Sequence, residues 1–338
     1  MIKRALIAAV ISVSGTAFSS VITANQAMAA EYLPAPEGFA DFILEVKQDA
    51  AAQGISEQIL EQAFADVTYM RKAVKQDKSQ PEFRKSTLET YMSKRVPDWK
   101  VKKARQLYAK HQDVLEKIGK EYGVQPRFIV ALWGSESNFG SYQGNFPVVS
   151  ALSTMAYEGR RAEFFRKELM AALTILEQGH ISVDKFKGSW AGAMGQTQFM
   201  PSSFLSFAVD YNGDGRKDIW GSEADAFASI ANYLSQSGWD DSITWGRQVK
   251  LPAGFDAEQS GIKLKRTLAE WQTLGVRRYD GTDLPTNSID ASVIIPDDTN
   301  GRVFLAYQNF DVLMRWNRSY YFACTVGYLS DRIRYPAL

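Results

Sequence analysis

A single cysteine, Cys324, stands among 338 residues. It excludes an intramolecular disulfide framework and any cysteine-rich zinc or iron–sulfur site. Only two histidines are present, His111 and His180, too few for a multi-histidine metal centre. Net charge is nearly absent as well, with 39 Lys and Arg against 38 Asp and Glu. That balance creates no large one-sign field, so neither nucleic acid nor an anionic membrane is an expected partner. No GxSxG motif occurs and neither histidine has a triad-like setting, so a serine or cysteine triad is not indicated. What remains is an ordinary globular composition, 45% hydrophobic and 23% charged. The length suits one large or two to three smaller domains, enough to bury a real core. Aromatics reach 12%, with 8 Trp and 15 Tyr, which favours stacking on flat ligands or sugars.

The first 29 residues read as an address rather than structure. Lys3 and Arg4 precede an apolar stretch from Ala5 to Val13, and Ala27-Met28-Ala29 forms an A-x-A cleavage site. This is the pattern of a secretory signal peptide. The apolar run is too short, and too rich in Ser, Thr and Gly, for a membrane anchor. No cysteine lies near the cleavage site for lipid attachment. Without Lys3 and Arg4 the chain carries 37 basic and 38 acidic side chains, a net charge of −1. No later segment reaches about 18 apolar residues, so a soluble exported protein is expected. Few cysteines fit the bacterial periplasm, where stray thiols risk oxidation.

Helical spacing dominates the rest. Phe39, Phe42, Ile43 and Val46 mark one helix, stopped by Gly54, and Ser56 can cap the next. Leu107, Val114, Leu115, Ile118 and Tyr122 predict one long helix ending at Gly123. Pro126 opens an apolar helical run through Trp133. Arg161 to Leu176 and Asp225 to Leu234 read as further helices. After Gly238 the period changes to that of strands, at Ile243, Trp245, Val249 and Leu251. Val293–Ile295 and Val303–Leu305 flank a turn and read as a strand pair. Thr267 with Glu270 forms a capping box before Trp271. A final helix is expected from about 311 to 331. The fold class is α+β and mostly α, with a small β-rich insertion at about 241–306.

Three segments carry chemistry. In the first, Glu136 follows an apolar helical run and precedes a Gly/Asn/Ser loop. A carboxyl placed there either faces water or is partly desolvated, and desolvation raises its pKa toward that of a general acid. The second, Gly188 to Ser203, sets Ser189, Gln196 and Gln198 beside Trp190, Met194 and Phe199. Neutral hydrogen-bonding groups among apolar ones suit a sugar, and a buried Gly-rich crossing is the competing reading. The third, Asp210 to Asp218, fits the D-x-[DN]-x-[DN]-G start of a calcium-binding EF-hand loop. It departs at position 12, which is Gly221 rather than Glu. Asp225 either closes a longer loop or pairs with Ser222 in a helix cap.

Other features are weaker. Arg160 and Arg161 either bind a carboxylate or start a helix with a paired surface. Trp316 to Tyr321 either line a groove or join the core. Both histidines read as surface or satisfied groups, and Cys324 as buried and inert.

Taken together, these segments resemble the lytic murein transglycosylase B family of the bacterial envelope. The resemblance rests on Tyr122-Gly123-Val124, Glu136 to Gly140, Arg160 to Phe165, Gly192 to Gly195 and Gln198 to Ser203. It continues through Asp210 to Trp220, Ala231-Asn232-Tyr233 and Asn317-Arg318-Ser319, in order across about residues 35–332. It implies a lysozyme-like catalytic core at 121–240 with an added helical domain at 30–120. A small β-rich region follows at 241–306, and 307–338 returns to the core as a helix. It also implies cleavage of the β-1,4 bond between N-acetylmuramic acid and N-acetylglucosamine in peptidoglycan glycan strands. No water adds, and the muramyl C6 hydroxyl closes to a 1,6-anhydro end.

By the same resemblance Glu136 is the single acid and base. Ser189 and Gln198 hydrogen-bond the sugar, Tyr91 and Tyr233 line the groove, and Asn317 contacts substrate or Glu136. Asp210, Asn212, Asp214 and Asp225, with the Arg216 carbonyl, hold a structural calcium ion, and no organic cofactor is implied. Trp316 and Phe322 stand where the family often has Tyr, so hydroxyl contacts there are expected to be lost. The missing lipobox cysteine implies a soluble periplasmic form. A two-carboxylate glycosidase would need a second acid about 5–10 Å from the first, and the candidates Glu158 and Glu163 lack a distinctive setting. A hydrolytic muramidase and an idle wall-binding protein are the rival readings.

Overall fold

The computed structural model describes residues 34–79 and 86–334. The expected signal segment lies outside the described residues. Three helices come first: α1 (Phe39–Ala52), α2 (Glu57–Phe64) and α3 (Arg71–Lys78). They are followed by α4 (Leu88–Arg95), α5 (Asp98–Lys110), α6 (Gln112–Tyr122) and α7 (Pro126–Ser137). A short strand β1 (Phe146–Pro147) leads into α8 (Val148–Glu158) and α9 (Ala162–Glu177). Strand β2 (Lys187–Gly188) pairs antiparallel with β1. Helices α10 (Pro201–Phe207) and α11 (Glu223–Gln236) close the helical part.

The expected β-rich region holds β3 (Gly246–Lys250), β4 (Arg266–Thr267), α12 (Leu268–Thr273), β5 (Arg277–Arg278), β6 (Asp290–Ile294) and β7 (Val303–Ala306). The strands form one antiparallel sheet in the order β4-β6-β7-β3-β5. The Thr267–Glu270 capping box forms, with both reciprocal contacts present. Helices α13 (Gln308–Trp316) and α14 (Tyr320–Arg334) return to the helical part.

Two expected helices are each broken in two. Residues 98–122 bend at His111, whose φ of −106° and ψ of 19° leave the helical region. The bend sets its ring edge-on to Trp133 and Phe227. The C-terminal helix breaks at Asn317, which is extended (φ −145°, ψ 119°). Ser319 explains that break: its hydroxyl accepts from Phe322 N at 3.3 Å and its carbonyl from Ala323 N. A local cap competes with helix continuation there.

Apolar side chains sort into three cores. One joins α4–α7 with α11, α13 and α14, and Phe128–Leu132 of α7 lie fully buried within it. A second joins α1–α3 to α8, α9 and the segment from Phe186 to Ile219. The segment 30–120, read above as one helical domain, therefore contributes to both. The third fills the space between the sheet and Trp271.

The β region is anchored through Trp245. Its indole N–H donates to Asp331 Oδ2 at 3.0 Å, and Asp331 Oδ1 accepts from Arg127 at 2.8 Å. The ring lies so close to α14 that a Cβ on Gly327 would sit 2.3 Å from it. Replacing Gly327 with Ala should therefore cost about 2–4 kcal/mol, since neither helix nor ring can retreat from the overlap. Urea unfolding measures this, and a change under about 0.5 kcal/mol would contradict the packing.

Candidate active site

Helix α7 carries Glu136 at its last turn because apolar residues cover it almost all round. The helix must then stop sharply. Asn138 turns left-handed with φ 51°, and Phe139 follows with φ 61°. Phe139 folds back onto Gly134, where a Cβ would meet the ring at 2.5 Å. Ser137 Oγ fixes the turn, donating to Trp133 O at 3.1 Å and accepting from Gly140 N at 2.9 Å. Gln196 ties this turn to the Gly-rich segment. Its Oε1 accepts from the Trp133 indole at 2.8 Å, and its Nε2 donates to Trp220 O at 3.3 Å.

Glu136 is half-buried as a residue, while its carboxyl lies among protein groups that withhold water. That desolvation pushes its pKa up from 4.5 to about 7. Two groups work against the rise: the Trp316 indole and the Arg95 guanidinium. Trp316 Nε1 donates to Glu136 Oε1 at 2.6 Å. The lost tyrosine hydroxyl at 316 is thus replaced by an indole donor, a correction to the expectation of a missing contact. An N–H can serve because either group points a hydrogen at a carboxyl oxygen.

Trp316 also organises the surrounding wall. Its ring lies 4.7 Å from Tyr233 and 5.3 Å from Phe199. Tyr233 packs edge-on to Phe207 at 4.6 Å. Gln198, beside Phe199, holds a left-handed backbone (φ 50°). Its amide donates to Gly195 O at 2.9 Å and Gln143 O at 3.2 Å. Ser189 lies on the same segment, whose turn closes through Met194 N to Phe199 O at 2.8 Å. The Ser189 hydroxyl accepts from Ala193 N at 2.9 Å and Ala191 N at 3.3 Å. Asn317 is exposed and follows Trp316 directly.

Tyr91 meets the site from α4. Arg95 stacks over its ring at 5.4 Å, and Tyr321 packs against it at 5.5 Å. Arg95 and Trp316 are the two groups whose action on Glu136 the sequence did not reveal. Arg95 left no signal in an ordinary Lys/Arg-rich stretch. Trp316 was visible only as part of an aromatic run.

The other acids lie elsewhere. Glu158 pairs with Lys78 at 3.5 Å, and Glu163 pairs with Lys167 at 2.8 Å on an exposed face. Arg160 pairs with Asp77 at 2.8 Å and Arg161 stacks on Phe164, so this segment is a helix start with paired groups. A cavity of about 1170 Å³ is lined by Pro126, Arg247 and Tyr307 among others; Glu136 does not line it.

The Asp210–Asp218 loop is held by its own side chains. Asp210 accepts from Gly213, Asp214 and Gly215 amides, Asn212 Oδ1 from Asp214 N, and Asp214 Oδ1 from Arg216 N. Asp225 is fully buried and joins the two ends of the loop, accepting from Tyr211 N at 3.1 Å and Asp218 N at 2.8 Å. Its amide donates to Ser222 Oγ, so the helix-cap pairing foreseen for its position is formed. Burial pushes the Asp225 carboxyl up, and only hydrogen-bond donors oppose it. Among the described residues no three Asp, Glu, His or Cys side chains already converge as metal ligands. The donor set is nevertheless all oxygen on one short loop, with a buried carboxylate facing no cation, and this fits a hard cation.

Comparison with known proteins agrees with the geometry. The chain is 33% identical over 227 residues to the membrane-bound lytic murein transglycosylase B of Escherichia coli K12, covering 66% of this chain. The match spans 61% of that relative's length. The crystal structure of SltB3 from Pseudomonas aeruginosa in complex with NAG-anhNAM-pentapeptide superposes with a TM-score of 0.85 at 40% identity, covering 88% of this chain and 80% of that one. The Escherichia coli lytic transglycosylase Slt35 in complex with calcium has a TM-score of 0.75 at 26% identity, over 87% and 92% of the two chains. A family model, the Transglycosylase SLT domain, matches residues 38–331, and the chain belongs to that family.

Proposed function

We propose that the protein is a peptidoglycan lytic transglycosylase acting through Glu136 alone. The observation that carries this is a desolvated carboxyl with a pKa near 7 that has Arg95 as its charged neighbour. An acid of that pKa is protonated in useful measure at neutral pH and ionises readily afterwards. Trp316 occupies Oε1, which leaves the proton on Oε2.

The reaction then needs two steps. Glu136 Oε2–H protonates the glycosidic oxygen, and the bond from muramyl C1 to that oxygen breaks. The N-acetylglucosamine hydroxyl departs, leaving positive charge at C1 and a carboxylate at Glu136. That carboxylate takes the proton from the muramyl C6 hydroxyl, whose oxygen bonds to C1. The acid is restored, no water is consumed and a 1,6-anhydro end forms. A tethered hydroxyl held in line gains the proximity that a second carboxylate and a water would otherwise supply. Tyr91, Tyr233, Ser189, Gln198 and Asn317 bind and orient the glycan strand. Support comes from the family and from the SltB3 relative, bound to a fragment carrying an anhydro sugar.

Asp210, Asn212, Asp214, the Arg216 carbonyl and Asp225 would hold calcium, which would supply positive charge to steady the loop before α11. The leader-like pattern of Lys3, Arg4, the apolar stretch after them and Ala27-Met28-Ala29 supports an exported, periplasmic enzyme.

Mass spectrometry of sugar fragments released from purified peptidoglycan tests the reaction. Fragments one water lighter than hydrolytic products are expected. They should fall by at least about a thousandfold in Glu136→Gln. Hydrated fragments, or turnover surviving in the variant, would contradict the reading.

The raised pKa also has a stability consequence. A carboxyl whose folded pKa exceeds its unfolded value stabilises below the unfolded pKa and loses that contribution as pH rises through the folded one. Wild type should therefore lose about 3 kcal/mol relative to Glu136→Gln between pH 4 and pH 8. Urea titrations of both proteins across that range would show it, and parallel pH curves would refute it.

Trp316 is a positioning residue, and Trp316→Phe keeps a ring while removing the donor. Loss of a contact that favours the carboxylate should move the falling limb of the pH–rate profile to higher pH, with kcat lower by about tenfold. An unmoved limb would deny Trp316 this role.

Calcium at millimolar concentration should raise Tm by about 3 °C or more, and Asp214→Asn should abolish most of the shift. Equal shifts in both proteins would remove the ion from this loop.

A further inference from the structure

The turn between β6 and β7 reaches across to α4, the helix that carries Tyr91 and Arg95. Its shape is set locally, because Asp298 Oδ1 accepts from Asn300 N at 2.8 Å and from Gly301 N at 3.0 Å. Within this turn Asp297 Oδ2 accepts from Leu88 N, the first amide of α4, at 2.8 Å. Asp297 Oδ1 meets the Tyr321 hydroxyl, whose oxygen also lies 2.9 Å from Ser86 O. Where the turn enters β7, Arg302 Nε donates to Glu89 Oε2 at 2.5 Å. The start of α4 is thus gripped at Ser86, Leu88 and Glu89.

A helix of 8 residues needs such help. Helices this short are marginal on their own, and the first amide has no partner inside the helix. Only Leu88 and Met92 of α4 are buried, so packing holds it at few points. A carboxylate at the first amide accepts the orphan N–H and complements the positive end of the helix. Helical spacing then carries this anchor to the site. Leu88, Tyr91, Met92 and Arg95 stand at i, i+3, i+4 and i+7, on one face. Tyr91 packs at 5.5 Å against Tyr321, the residue that Asp297 engages, and Arg95 stacks over Tyr91 at 5.4 Å. Arg95 in turn is the charged group that acts on Glu136. A continuous path of contacts therefore runs from Asp297 through Tyr321 and Tyr91 to Arg95.

We infer that Asp297 is a positioning residue for the reaction, holding α4 so that Tyr91 and Arg95 face the groove at Glu136. The β region thereby serves the active site through α4, without contributing a group that touches the substrate. The inference rests on the proposed function, which places the reaction at Glu136.

Steady-state kinetics on soluble, uncrosslinked peptidoglycan strands test it. Asp297→Ala removes both acceptors and should raise KM about fivefold. It should also move the falling limb of the pH–rate profile to higher pH, because Arg95 favours the ionised acid. Asp297→Asn is the conservative variant. Its amide oxygen can accept from Leu88 N, while its N–H donates to the Tyr321 oxygen and frees that hydroxyl for Ser86 O. Its KM should stay within about twofold of wild type. Adding Asp297→Ala to Arg95→Gln should move the limb no further than Arg95→Gln does alone. An unchanged KM in Asp297→Ala, equal losses in the Ala and Asn variants, or additive limb shifts would overturn the inference. So would activity that falls only with the folded fraction seen by circular dichroism. A wild type that releases no anhydro fragments would instead overturn the proposed function, and this inference with it.

Discussion

Desolvation of the Glu136 carboxyl is the constraint around which the rest is arranged. A charged carboxylate at that depth is disfavoured, so the proton stays on up to a pKa of about 7. Burial alone would leave the group without direction, able to turn either oxygen to the substrate. The indole of Trp316 removes that freedom by engaging Oε1. The two effects oppose one another electrostatically and cooperate geometrically: one raises the pKa, the other limits the rise and fixes the rotamer. Arg95 adds a longer-range pull in the same sense as Trp316.

This balance needs two cores to meet. Trp316 belongs to the wall of both, packing with residues of the core around α7 and with those around α9. Tyr233 shares that position. Helix α7 delivers the acid from one side, and the Gly-rich segment brings Phe199 and Gln198 from the other. Gln196 couples the two by accepting from Trp133 while its own amide N–H donates to Ile219 O. The break at Asn317 is part of the same design, since Ser319 restarts the helix one turn beyond Trp316 and frees the indole to turn inward.

Much of this was legible in the chain. Pro126 and the run to Trp133 announced an apolar helix, while the residues left open whether the carboxyl at its end faced water or was desolvated, and only the family resemblance gave it the acid's role. The capping box at Thr267 and the turn between Ile294 and Val303 gave the β region its outline. Long-range partners were not legible. Trp316 lies 180 residues from Glu136, and no local pattern encodes which side chain will face a distant one. The bends at His111 and Asn317 escaped for a related reason. Apolar periodicity continues through both, and only a ring contact or a serine cap at the break ends the helix. Two-residue strands such as β1 and β2 are too short to show any period, yet they set Ser189 in place.

The central claim is that Glu136 holds its proton to near neutrality because the fold withholds water from it. Carbon-13 NMR titration of glutamate side chains in the resting protein, with Glu136→Gln to assign the resonance, measures this directly. The account predicts a carboxyl titrating at about 7. A Glu136 resonance titrating near 4.5, the value of an ordinary glutamate, would contradict it.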